Sequence, residues 1–114
     1  MYEDLDLFSP GGDPVPAGTV RVLYVDTETT GTDPSAEICE IGALLVVYEG
    51  RMLTGRVLST FQSLVRPSEP IPPEASAVHH ITNRMVEGEP PVEALEQDLA
   101  ALSVPADFIC AHNA

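Results

Sequence analysis

With 114 residues and a formal net charge of −13, the chain has room for one small domain and a modest core. Its five basic residues, the arginines Arg21, Arg51, Arg56, Arg66 and Arg84, form no stripe, which excludes nucleic-acid binding driven by protein charge alone. No run is long enough to span a membrane, the start Met1-Tyr2-Glu3-Asp4 is acidic where a signal peptide is basic, and Cys39 and Cys110 fit no metal or redox spacing, so a cytoplasmic protein with reduced thiols is expected.

Residues 1–19 hold Pro10, Gly11, Gly12, Pro14, Pro16 and Gly18 with four acids and no base. That composition reads as a disordered leader, leaving 20–114 as the folded part. Val20 to Asp26 reads as a buried strand, apolar up to its last acid except at Arg21. Thr32 to Ala36 is a polar loop. Ile38 to Tyr48 is a second apolar run, and Glu49-Gly50-Arg51 a turn. Arg56 to Val65 is a third strand in which Val57, Ser59, Phe61, Ser63 and Val65 alternate with Leu58, Thr60, Gln62 and Leu64. Short connections make these three an antiparallel meander.

The four prolines of Pro67 to Pro73 predict an extended connection, and Pro73 suits the first position of a short helix through Val78. Thr82 is the expected N-cap of a further turn through Val86. Pro91 opens the best helix, where Val92, Leu95, Leu99 and Leu102 make one apolar stripe, and Pro105 ends it. Asp107 to Ala111 is a short buried strand, which a crossover lays parallel to the first. The run Ala43-Leu44-Leu45-Val46-Val47 is apolar on both faces, and one helix covers only part of one face, so an exposed apolar patch is expected.

The chemistry gathers at Asp26-Thr27-Glu28-Thr29-Thr30-Gly31. Alternation along a strand puts Asp26 and Glu28 on one face. Two adjacent carboxylates repel, and a hard divalent cation relieves them; all-oxygen ligands suit Mg²⁺ or Mn²⁺ better than zinc. The residues alone also allow a solvated strand end before a turn. Glu74 reads equally as a favourable acid in a first helical turn, His79 as a helix-end imidazole, and His112 and Asn113 as turn formers.

The stretch Asp26 to Gly31, together with Glu40-Ile41-Gly42, Glu74-Ala75-Ser76-Ala77-Val78-His79-His80-Ile81-Thr82 and Ala111-His112-Asn113-Ala114, resembles in order and spacing the DEDD superfamily of 3′-5′ exonucleases, DEDDh type. Leu64-Val65-Arg66-Pro67 and Ile71-Pro72-Pro73-Glu74-Ala75 point to the branch holding exodeoxyribonuclease X and the proofreading epsilon subunit of bacterial DNA polymerase III. The resemblance covers residues 22–114. It implies an α/β, ribonuclease-H-like fold, a mixed sheet of three antiparallel strands plus a fourth parallel to the first, truncated at the C-terminus.

It further implies hydrolysis of terminal phosphodiesters of DNA, with RNA as the other candidate, by two Mg²⁺ or Mn²⁺ ions. Asp26 and Glu28 are the implied catalytic metal ligands. Asp26, Glu28, Thr29, Thr30, Glu74 and His79 are implied to bind substrate, the threonines through backbone N–H groups; His112 and Asn113 belong to a second motif. His80 stands where relatives often carry glycine and has no assigned role. The second motif's aspartate, and the third motif with its aspartate and general-base histidine, are not in the chain, so it is expected to be inactive alone.

Partners implied are single-stranded or 3′-terminal DNA, in proofreading or repair, and a polymerase. Asp4-Leu5-Asp6-Leu7-Phe8 resembles a bacterial sliding-clamp motif, with an incidental amphipathic tail as the plain alternative. The rival for the whole chain is a non-catalytic nucleic-acid or replisome binding module of exonuclease-like fold. An Asp-first phosphatase is disfavoured by Glu28 in place of a second aspartate.

Overall fold

The computed structural model describes residues 18–50 and 54–112; the clamp-like stretch, Arg51 and Asn113 lie outside them. β1 (Thr19–Thr29), β2 (Ile38–Glu49) and β3 (Thr54–Leu64) form the expected antiparallel meander, and β4 (Phe108–His112) returns parallel to β1. β4 is not buried as expected but largely exposed, because among the described residues it pairs on one side only. The sheet order is β3-β2-β1-β4. β1 therefore has a neighbour on each side, which suits its valine-rich, near-continuous apolar run. β1 outlasts its predicted end at Asp26 because Thr27, Glu28 and Thr29 go on pairing with Ile41, Glu40 and Ile38.

That pairing contains a bulge. Glu28 faces Glu40 but Thr29 faces Ile38, so Cys39 is an extra residue on β2. A bulge re-aims a side chain, and here Cys39 is fully buried against Ile71, Ile81 and Val86. A second bulge interrupts β3: Leu45 faces Ser59 while Val46 faces Val57, leaving Leu58 unmatched. The expected unbroken alternation of β3 thus fails at Leu58, and Val57 and Phe61 end up on opposite faces.

Helix α1 (Pro73–His79) has Pro73 in its first turn as expected, and α2 (Asn83–Val86) is capped by Thr82, whose side chain accepts from the Met85 N–H at 3.3 Å. The segment after Pro91 is not one helix. A 3₁₀ turn (Val92–Leu95) leads into helix α3 (Glu96–Ser103). The stripe survives the change of winding: Leu95 is buried with Ile41 and Val65, Val92 and Leu99 pack beside them, and Leu102 reaches Leu23, Ala43 and Leu45.

Turn and helix thus cover the sheet face opposite Asp26. The other face buries Val20, Val22, Tyr24 and Val46, packed against Leu44, Tyr48, Phe108 and Cys110. The Tyr24 and Tyr48 hydroxyls hydrogen-bond to each other there. Of the β2 run, Ala43, Leu45, Val46 and Val47 are buried and Leu44 is half-buried, so the expected patch does not lie there; among the described residues the exposed large apolar groups are Val57, Leu58, Val78, Met85, Val104 and Ile109. Among the described residues no helix is long and apolar enough to cross a membrane.

Candidate metal and nucleotide site

Asp26 and Glu28 share a face near the C-terminal end of β1. In register beside Asp26 stand Gly42 on β2 and His112 on β4, and Gln62 faces Gly42 from β3. Gly42 leaves the space next to Asp26 free of a side chain. Across from Glu28 stands a third acid, Glu40, whose carboxylate accepts from Gln62 Nε2 at 3.4 Å. Asp26, Glu28, Glu40, Gly42 and Gln62 line one acidic hollow. Glu40 was legible only as part of a motif; the strand register makes it a neighbour of the acid pair.

Among the described residues, neither Asp26 nor Glu28 has a hydrogen bond or an ion pair to offset its charge. Facing carboxylates without a protein cation suit a hard divalent ion. No three His, Cys, Asp or Glu side chains among the described residues come together as a cage, so these donors fit an ion that keeps much of its water.

A second hollow of about 200 Å³ adjoins the other side of Glu28, lined by Thr27, Glu28, Thr29, Gly31, Thr32, Ala75, Val78 and His79. It forms because α1 packs across the end of β1, and His79 makes the joint. Its Nδ1 accepts from the Ile81 N–H at 3.1 Å, which leaves the proton on Nε2, and Nε2 donates to the Thr29 carbonyl at 3.0 Å. The Cys39 sulfur sits 3.7 Å from the same nitrogen. Burial first, then the charges of Glu28 and Glu40, push the Cys39 thiol up to about 11.

The two threonines are tied into the fold. The Thr30 N–H donates to the Glu37 carbonyl at 2.8 Å, and the Thr29 hydroxyl to the Gly31 carbonyl at 2.8 Å. Glu74 is exposed in the first turn of α1 and does not line this hollow. His112 is exposed at the end of β4, paired through its backbone with Asp26. The structure therefore brings Asp26, Glu28, Thr29 and His79 together, with His112 alongside, and leaves Glu74 apart. His80 caps α1 in the left-handed region, at φ 66°, the conformation in which glycine is at ease.

The exonuclease family model RNase_T matches residues 23–114. A DNA polymerase III subunit epsilon-like protein of Rhodobacter capsulatus is 37% identical over 117 residues, 97% of this chain and 16% of that protein. Exodeoxyribonuclease 10 of Escherichia coli is 31% identical over 90 residues, 79% of this chain and 36% of that protein. The chain thus spans well under half of either relative. A solved exonuclease X in complex with 5′ overhanging duplex DNA aligns with TM-score 0.59 and 28% identity, covering 78% of this chain and 58% of that one. Escherichia coli exonuclease I bound to a dT13 oligonucleotide aligns with TM-score 0.65 at 17% identity, over 82% of this chain and 20% of that one, a likeness of fold alone.

Proposed function

The chain belongs to the RNase_T exonuclease family and has its ribonuclease-H-like fold, and from that premise we propose that it is part of a metal-dependent 3′-5′ exonuclease acting on DNA. The observation that carries the reading is the pair Asp26 and Glu28, side by side on β1 without a neutralising partner among the described residues. When bound, Mg²⁺ or Mn²⁺ supplies an activated water and charge stabilisation at a leaving oxygen. Asp26 and Glu28 are the ligands, and Glu40, in register with Glu28, adds negative field to the same hollow.

The hollow between β1 and α1 takes the terminal nucleotide. His79 holds the Thr29 carbonyl and so fixes that hollow's floor, while Thr29 and its neighbour Thr30 border the substrate. His112 closes the far side, next to Asp26. Attack of water on the terminal phosphodiester breaks the bond to the neighbouring 3′ oxygen and releases a nucleoside 5′-monophosphate. The similarity to an exonuclease solved with duplex DNA supports DNA over RNA, and the epsilon-like relative supports a polymerase as partner. A net charge of −13 is consistent with metal ions supplying the positive charge at the phosphate.

Mn²⁺ titration followed by paramagnetic broadening of backbone amides tests the ligand set. Broadening centred on Asp26, Thr27 and Glu28, and lost in Asp26→Asn, is the expected result. Broadening spread evenly over the acidic surface and unchanged in the variant would remove the assignment.

A further inference from the structure

Glu37 lies outside the acid pair, yet it joins three stretches of chain. Its carboxylate accepts from the Ser68 N–H at 3.0 Å, the Glu69 N–H at 3.3 Å and the Ser68 hydroxyl, which reaches both oxygens at 2.9 Å. Its own N–H donates to Thr30 Oγ1 at 3.0 Å, and its carbonyl accepts from the Thr30 N–H. Hydrogen bonds to an ionised carboxylate are the stronger kind. They hold the Glu37 carboxyl below its ordinary range, the Ser68 backbone bond contributing most.

Between Thr30 and Glu37 the chain is otherwise lightly held. Thr32, Asp33, Pro34 and Ser35 are exposed, and the internal bonds of this loop are those of the Asp33–Ser35–Ala36 turn and the Thr29 hydroxyl to Gly31. Gly31 and Thr32 nevertheless form one wall of the hollow beside Glu28. Whatever fixes the far end of this loop therefore fixes that wall.

We infer that Glu37 is a positioning residue for the nucleotide hollow: its side chain moors the loop to the connection at Ser68 and Glu69, and its backbone sets Thr30 and, through it, the Gly31–Thr32 wall. The inference rests on the nucleotide reading of that hollow. Neither Ser68 nor Glu69 touches the hollow, so Glu37 acts through the loop rather than on substrate.

Two measurements on the full chain test it: amide hydrogen exchange, and Mn²⁺-dependent binding of thymidine 5′-monophosphate. In Glu37→Ala, exchange at Thr30, whose N–H is held by the residue-37 carbonyl, should quicken about fivefold while Val22 and Leu23 in β1 keep their rates, and nucleotide affinity should fall about threefold or more. Glu37→Gln, which keeps an acceptor oxygen, should recover part of both, and Ser68→Ala should reproduce the loss from the other side of the contact. Unchanged exchange at Thr30 overturns the mooring. Faster exchange throughout β1 in both Glu37→Ala and Ser68→Ala shows a general stabiliser instead, and a loosened loop with unaltered nucleotide affinity overturns the positioning role. If the unmodified chain binds no nucleotide, the nucleotide reading and the positioning role fall together, while exchange still decides the mooring.

Discussion

His80 is the one residue other than glycine with positive φ among those described. Its left-handed backbone crowds Cβ against the following carbonyl, at a cost of about 1–2 kcal/mol. His80→Gly should therefore stabilise the chain by about 1 kcal/mol, reduced by glycine's greater unfolded entropy, as read from urea melts. Destabilisation would mean that the imidazole makes contacts that outweigh the strain. Cys39 gives a pH dependence. Its thiol is held protonated up to about 11, above the ordinary 9.0. The unfolded chain releases that proton first, so the contribution to stability is complete below 9 and is lost as pH rises towards 11. Against Cys39→Ala, in which this titration is missing, the unmodified chain should lose stability more steeply over that window. Parallel curves would contradict the burial and the neighbouring acids as the cause.

The segment after Pro91 shows how an element can change winding and keep its role. Its stripe of Val92, Leu95, Leu99 and Leu102 is spaced for an α-helix, yet the first turn is 3₁₀. Pro91 has no N–H to give, and the tighter turn still delivers Leu95 between Ile41 and Val65. Leu95, at 7% exposure, is the most deeply buried of the four. Leu95→Ala should cost roughly 2–4 kcal/mol through lost burial and the void left behind, measured by denaturant melts. A loss below 1 kcal/mol would show that the sheet face collapses to fill the space. On β2 the extra residue at Cys39 bears more directly on the candidate site's geometry, because it brings a buried group against His79 while Glu40 remains opposite Glu28.

At the level of the molecule, β1 is both the buried centre of the sheet and the carrier of the acid pair, and β4 adds His112 on its open side. Two carboxylates leave a divalent ion mostly water-ligated, with no dedicated cage for a second one. Single-stranded DNA labelled at its 5′ end should therefore stay full length when incubated with the 114-residue chain and Mn²⁺. A metal-dependent ladder abolished by Asp26→Asn would show that the remaining donors are already present.

The local elements were legible in the residues because their causes are local. Near-continuous apolar, β-branched runs mark β1 and β2, Pro73 and Thr82 mark the helix starts, and the i, i+3, i+7 stripe marks the segment after Pro91. The common face of Asp26 and Glu28 follows from strand geometry alone. Tertiary structure decided what depends on pairing across the chain: the two bulges, which break alternation at Cys39 and Leu58; the register that sets Glu40 opposite Glu28; and the mooring of Glu37 on Ser68, 31 residues away. It also decided that Glu74 and His79, close in sequence on one short helix, part company. Only His79 lies where α1 crosses the end of β1, because a side chain's partner is chosen by how helices and strands pack, and no spacing along a single element encodes that choice.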